Sequence, residues 1–227
     1  MKNPLFRSLI LFTLLAAMLS VAVWAISRAS QQPNMNQQSG VINGKRKSLR
    51  ELAKETDIEV TPIGENTQAG SIQSLKQSAI AIVLGRITEE QAYFDGDDSI
   101  VTSYTVNIQR VLKDDTANWP YPAEFTPPVP LTSPLKVVRV GGELRVNGHR
   151  ASMKVEGSES LKPNKDYVLF LRWSPDFKAY LPVGGVSGFF IVDGSSGIKP
   201  VGTRPNIKKY DGVTLQSFVD VILHGGN

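Results

Sequence analysis

The chain contains no cysteine among its 227 residues. Without thiols it forms no disulfide, carries no thiolate nucleophile and builds no zinc–thiolate site. It is also excluded from the lipoproteins that are anchored through a lipid-bearing cysteine. A domain of roughly 130 residues buries more than about 60% of its unfolded surface, so it needs no cross-link for stability.

Histidine is almost as scarce, since only His149 and His224 are present. A Ser-His-Asp triad would need one of them as its base, and no Gly-x-Ser-x-Gly elbow or His-x-x-x-His spacing occurs. His149 follows an Asn-Gly turn, and His224 ends a predicted helix, where the helix dipole favours it. We therefore predict no catalytic residue, no cofactor and no metal site, and expect a protein that is not an enzyme.

The chain also lacks a strong charge of either sign. Its formal net charge is +4, and Lys2 and Arg7 of the leader account for two of these charges. The remaining charge of about +2 is too weak for the electrostatic field of a nucleic-acid-binding protein. Nucleic acid is therefore not an expected partner.

One long apolar run is present, from residue 9 to residue 26, and Lys2 and Arg7 precede it. It is longer than the usual signal-peptide core of about 7–15 residues and reaches the roughly 18 residues of a membrane span. Cleavage after Ala25 and retention as an anchor both fit residues 1–26. Either way the positive residues hold the N-terminus in the cytoplasm and the remainder is extracytoplasmic, secreted or anchored in the membrane of the cell envelope.

Composition divides the rest of the chain. Residues 27–45 are rich in Gln, Asn and Ser and form a predicted flexible linker. A capping box at Ser48 opens a short helical lead-in over residues 46–77, with a second helix from Ser71 to Gln77. Residues 78–202 form the predicted β-domain. The segment 203–227 carries a C-terminal helix, whose apolar positions Leu215, Phe218, Val219 and Ile222 share one face.

Within the β-domain, residues 79–84 are apolar on both faces and predict a central strand. Residues 104–108 alternate, which predicts a half-buried strand, and the alternation slips at Arg110–Val111, where we expect a bulge. Gly141-Gly142 and Asn147-Gly148 are typical tight-turn pairs. They predict a three-stranded meander over residues 137–155, and three further strands are expected at residues 167–173, 180–183 and 188–192.

The pattern predicts a mainly β fold, a small barrel or sandwich with short flanking helices. Three segments, Ser78–Ile87, Tyr104–Lys113 and Leu161–Leu171, together resemble uncharacterised bacterial exported domains. More distantly they resemble the OB-like barrel of the netrin and metalloproteinase-inhibitor (TIMP-like) modules. The resemblance implies a five- or six-stranded OB-like barrel. It does not carry over inhibition through an N-terminal cysteine, because this chain has none.

A proline-rich loop is predicted over residues 115–134, where six prolines prevent regular strand pairing. Trp119, Tyr121 and Phe125 lie within it. They form either an exposed surface for contact with a partner, or aromatic side chains that pack back on the barrel and pin the loop.

Acidic residues offer one alternative to a binding function. Asp95-Gly96-Asp97-Asp98 is interpreted as a hairpin turn in preference to a calcium loop, since it lacks the twelfth-position glutamate of an EF-hand. A hydrolase would need two carboxylates in one cleft, from residues such as Asp95, Asp97 or Glu143.

The sequence thus favours a non-enzymatic extracytoplasmic domain that binds a protein, peptide or glycan, with the membrane as a further partner if residues 9–26 are retained. A secreted hydrolase and a protease inhibitor that acts through a loop are the alternatives.

Overall fold

The structure is a computed structural model. Its described residues are 41–42, 45–61, 71–118, 126–154, 161–194, 197–202 and 204–225. The predicted leader, residues 1–26, lies outside them. Residues 41–42 and 45 are the described part of the predicted linker. No helix in these described ranges has the length and apolar character needed to cross a membrane.

The described residues are mainly β. In chain order they form β1 (Val41–Ile42), β2 (Lys45–Arg46), α1 (Leu49–Leu52), β3 (Ile58–Val60), α2 (Ile72–Ser78), β4 (Ala81–Asp95), β5 (Ser99–Asp114), β6 (Leu135–Val140), β7 (Gly142–Val146), β8 (His149–Met153), β9 (Asp166–Ser174), β10 (Ala179–Pro182), β11 (Phe189–Asp193), β12 (Gly197–Pro200), α3 (Pro205–Lys208) and α4 (Leu215–His224). Short 3-10 helices span Thr116–Asn118 and Gly185–Gly188.

The long hairpin of β4 and β5 is the centre of the fold. Its turn is the acidic segment, which confirms the hairpin-turn interpretation: Asp95 pairs with Ser99, and Gly96 has a φ of 67°. The register of β5 shifts on both sides of Arg110–Val111. The slip in alternation therefore correctly predicted an irregular strand at this point.

Five strands close on themselves. Their neighbours run in the order β4, β5, β6, β10, β9, and β9 pairs with β4 again. The closing pairs are β10 with β9, antiparallel from Ala179–Ser174 to Pro182–Leu171, and β10 with β6, parallel at Tyr180–Val137. The strands β11 and β12 extend the sheet beyond β9. We call the five closed strands the ring.

Alternate side chains of the ring strands point inward and form one apolar cluster, as the two-residue repeat of a strand requires. Its members include Val83, Ile87, Tyr104, Val106, Val137, Leu169, Trp173 and Tyr180.

Helices cover the outer side of β4 and β9. Ile72 and Leu75 of α2 and Phe218 and Ile222 of α4 pack in one cluster with Phe170 of β9. Both helices begin at a capping side chain, Ser71 at the predicted start of α2 and Thr214 before α4, and α4 ends at Gly225, whose φ is 70°. The predicted apolar face of the C-terminal helix is therefore buried on the sheet.

A second, three-stranded sheet has the order β3, β8, β7. One of its faces is apolar and packs against Ile100 and Phe94 of the long hairpin. Leu49 of α1, which begins at the predicted capping box of Ser48, joins the same cluster.

The predicted meander is wrong at Gly141-Gly142. The strands β6 and β7 do not pair, because β6 lies between β5 and β10 while β7 pairs with β8. Gly141 instead bonds to β5, through its N–H to the Ile100 carbonyl at 2.8 Å and its carbonyl to Thr102 Oγ1 at 2.6 Å. The two glycines carry the chain from one sheet to the other. The second turn is confirmed: Asn147-Gly148, both with positive φ, joins β7 to β8.

Candidate binding surface

The described second half of the proline-rich loop is held by two aromatic residues of the ring. Trp173 Nε1 donates to the Thr126 carbonyl at 2.8 Å, and the Tyr180 hydroxyl donates to the Val129 carbonyl at 2.6 Å. Both donors belong to side chains buried in the ring interior. A buried indole or phenol needs a hydrogen-bond partner for its polar atom. These two bonds supply that partner and at the same time hold the carbonyls of the loop.

The side chains of Trp173 and Tyr180 also contact each other. Their centroids lie 5.2 Å apart in an edge-to-face arrangement, which suits the charge distribution of aromatic rings. Leu131 packs against the interior cluster, and the Ser133 hydroxyl accepts a bond from Ile108 N at 3.3 Å. The segment 126–134 is therefore attached to three strands of the ring.

The predicted contact residues Trp119, Tyr121 and Phe125 lie in residues 119–125, outside the described residues. The prediction that they form a contact surface stays a prediction. The structure adds that Trp173 and Tyr180, which the sequence analysis did not select, pin the adjoining half of the loop. The sequence contained a sign of this role, because both residues lie at inward positions of predicted strands and carry a polar atom that needs a hydrogen-bond partner.

A second feature missed from the sequence lies on the outer side of the ring. Val101 of β5, Val138 of β6 and Leu181 of β10 form a buried apolar cluster with Ala179. Tyr93, near the end of β4, and Phe177, in the β9–β10 turn, pack against it and are half-buried. We call Tyr93, Phe177 and the cluster beneath them the outer aromatic face. Burial, followed by the nearby Asp95, raises the pKa of Tyr93.

The acidic turn has a structural task. Asp98 Oδ1 accepts a hydrogen bond from Leu49 N at 2.8 Å, and the Asp97 carbonyl accepts one from Arg50 N at 2.9 Å. These bonds hold the start of α1 against the hairpin. No group of three or more acidic or histidine side chains suited to a metal ion occurs within the described part of the chain.

Glu143 lies elsewhere, on the polar face of the three-stranded sheet. Arg150 Nη2 lies 2.6 Å from its carboxylate, and Lys154 forms a similar pair with Glu59 at 2.7 Å. Hydrogen bonding and charge attraction from Glu143 raise the pKa of Arg150, and those from Lys154 lower the pKa of Glu59. Of the acids named for a hydrolase, Asp95 and Asp97 thus lie at the turn between β4 and β5, and Glu143 lies on β7, where it pairs with Arg150.

The two histidines lie on separate elements. His149 opens β8 with Nδ1 3.6 Å from Asp57 Oδ1, and His224 is the last residue of α4. The adjacent acids Glu89 and Glu90 of β4 accept hydrogen bonds from different donors, the Thr105 hydroxyl and the Tyr104 hydroxyl.

No protein-family model matches the chain, and a comparison with curated proteins finds no similar sequence.

Proposed function

We propose that this chain is a non-enzymatic binding domain that works outside the cytoplasm and contacts its partner through the proline-rich loop. The observation that carries the proposal is the anchoring of the loop by Trp173 and Tyr180. A loop whose adjoining half is fixed to a rigid sheet loses less conformational entropy when its aromatic residues bind. Aromatic side chains are also common anchors of protein interfaces.

The closed ring supports the finer proposal of an OB-like barrel, which has five strands. In that fold ligands bind at the face of the second and third strands and at the loops after strands one and four. The corresponding positions here are β5, β6 and the turns that follow β4 and β9. Tyr93 lies next to the first turn, and Phe177 lies in the second. Under this proposal, Tyr93 and Phe177 lie where an OB-like barrel presents side chains to a ligand.

The loop and the outer aromatic face depend on the same strand. Tyr180 of β10 holds Val129, while its neighbours Ala179 and Leu181 belong to the outer cluster. We propose that both features contribute to one binding surface, and that its partner is a protein, a peptide or a glycan, whose apolar or sugar-ring faces suit aromatic contacts.

Site-specific photo-crosslinking in living cells tests the proposal. The full chain carries p-benzoylphenylalanine in place of Tyr121, or in place of Val111 as the control, since Val111 is 42% exposed on β5. We expect a light-dependent adduct at position 121 and none at position 111. The adduct at position 121 should fall at least fivefold when Trp119→Ala is added.

Equal adducts at both positions, or an adduct at position 121 that Trp119→Ala leaves unchanged, would remove the loop from the proposal. Export is tested separately by mass spectrometry of the native N-terminus and by protease accessibility in intact cells. A native chain that is full-length and soluble in the cytosol would contradict the extracytoplasmic location.

A further inference from the structure

A groove of about 480 Å³ lies between α2 and the C-terminal part of the chain, away from the proposed binding surface. Its volume is in the range of small-molecule sites, roughly 300–1,000 Å³. Its lining includes Ile72, Lys76, Lys113, Lys209, Tyr210 and Val221.

The charge of the groove has one sign. Three lysines line it, and no aspartate or glutamate is among its lining residues. Asp115 lies beside it and pairs with Lys113 at 3.0 Å. Two lysine charges therefore remain to attract an anion, and a concave surface strengthens their combined field.

Two of the three ammonium groups are held in place by helix ends. Lys113 Nζ donates to the carbonyls of Lys76 and Ala79 at the end of α2, and with Asp115 it uses all three of its N–H groups. Lys76 Nζ donates to the Leu223 carbonyl of α4 at 3.3 Å. An ammonium has three donors, so Lys76 keeps donors for a ligand.

The third ammonium group, that of Lys209, lies over an aromatic ring. Lys209 Nζ lies 5.1 Å from the centroid of the Tyr210 ring, which in turn packs edge-to-face on Phe218 at 5.5 Å. Lys209 has no carboxylate partner in the described part of the chain. Ile72 is buried and Val221 half-buried, so apolar atoms lie next to the charged groups.

We propose that this groove binds a small organic anion, with its acidic group between Lys76 and Lys209 and its apolar part against Tyr210, Ile72 and Val221. Because these apolar side chains line the groove, we expect it to prefer an amphipathic anion to an inorganic one. The groove shares no residue with the loop or the outer aromatic face, so the inference is independent of the proposed function.

Isothermal titration calorimetry with 1-naphthalenesulfonate tests the inference. The full chain is placed in phosphatidylcholine nanodiscs, and empty nanodiscs provide the blank. The uncharged 1-naphthalenesulfonamide has the same ring system without the negative charge. We expect the sulfonate to bind at least tenfold more tightly than the sulfonamide, and more weakly as salt screens the lysines.

The double variant Lys76→Gln/Lys209→Gln should weaken sulfonate binding at least tenfold. Lys208→Gln is the matched control, because Lys208 is an exposed neighbour that does not line the groove, and it should change the Kd less than twofold. Among the described residues the Lys209 side chain makes no hydrogen bond, whereas Lys76 caps the end of α4. A loss of binding in Lys209→Gln alone therefore cannot result from the loss of that cap. Equal affinity for both compounds, equal effects of Lys208→Gln and Lys209→Gln, or no binding of the sulfonate would overturn the inference.

Discussion

At the scale of single residues, the change of sheet at Gly141-Gly142 depends on the absence of a side chain. A Cβ on Gly142 would lie 2.2 Å from Thr102 Oγ1 and 3.2 Å from Ala92 Cβ, and the φ of Gly142 is +147°. Only glycine adopts such a backbone without strain. The close approach to β5 is what lets the chain leave the ring at this point.

We predict that Gly142→Ala lowers the free energy of unfolding by about 2–4 kcal/mol, because steric overlap adds to backbone strain. Gly148→Ala is the control: its φ is also positive, but no atom lies within 4 Å of its Cβ position. The control should cost about 1–2 kcal/mol. Urea unfolding of both variants measures the difference, and equal losses would mean that the contact with Thr102 is unimportant.

Two buried tyrosines make stability depend on pH at the alkaline end. Burial raises the pKa of Tyr104 to about 12, and burial also raises the pKa of Tyr180 above its ordinary value. An unfolded tyrosine titrates near pH 10. Between these values the folded chain keeps protons that the unfolded chain has released, so stability falls as pH rises.

We predict that Tyr104 alone accounts for roughly 2–3 kcal/mol of lost stability as the pH rises from about 10 to about 12, and for none below pH 10. Urea unfolding at a series of pH values compares the wild type with Tyr104→Phe. Lysine titration is common to both proteins, so the difference between their slopes reports the tyrosine. Parallel curves would contradict the assignment.

At the scale of elements, α4 shows how a predicted amphipathic helix finds its place. Its apolar side chains Phe218, Val219 and Ile222 are all buried. Phe218 packs between two aromatic rings, with centroid distances of 4.7 Å to Phe190 and 5.5 Å to Tyr210. The helix is thus part of the core, and its buried face is not available to a partner.

We predict that Phe218→Ala destabilises the protein by about 3–5 kcal/mol, since it leaves a cavity beneath the helix. Leu223→Ala, on the same helix at a side chain that is 39% exposed, should cost less than about 1 kcal/mol. Thermal or urea unfolding of the two variants decides. A small loss for Phe218→Ala would show that α4 is not needed by the sheet.

At the scale of the whole described unit, the long hairpin joins two sheets. Both of its strands belong to the ring, and Phe94 and Ile100 near its turn pack against the three-stranded sheet. One pair of strands therefore contributes both to the apolar cluster inside the ring and to the one under the smaller sheet. Because the strands are continuous, the two clusters should unfold together.

We predict that Ile100→Ala, which empties a fully buried site in the smaller cluster, lowers the stability of the entire unit by about 2–5 kcal/mol in a single transition. Circular dichroism follows the whole chain, and NMR signals of Leu169 in the ring and Ala151 in the smaller sheet follow each part. Separate midpoints for the two signals would show that the sheets are independent.

Much of this architecture was readable from local patterns. Periods of two and 3.6 residues predicted most of the strands and the helix α4, and two helix starts were predicted at the capping box of Ser48 and at Ser71. The irregularity beside Arg110–Val111 and the Asn147-Gly148 turn were also local. These features depend on the conformational preferences of neighbouring residues, which the sequence contains directly.

The mainly β class followed from the amino-acid pattern alone, because strand periodicity and turn chemistry are properties of a few adjacent residues. Three features depend instead on contacts between distant parts of the chain: Gly141-Gly142 changes sheets, β10 closes the ring, and Trp173 and Tyr180 hold the proline-rich segment. A tight turn and a crossing both need glycine, and which one forms depends on a third strand, β5, that lies far away along the chain.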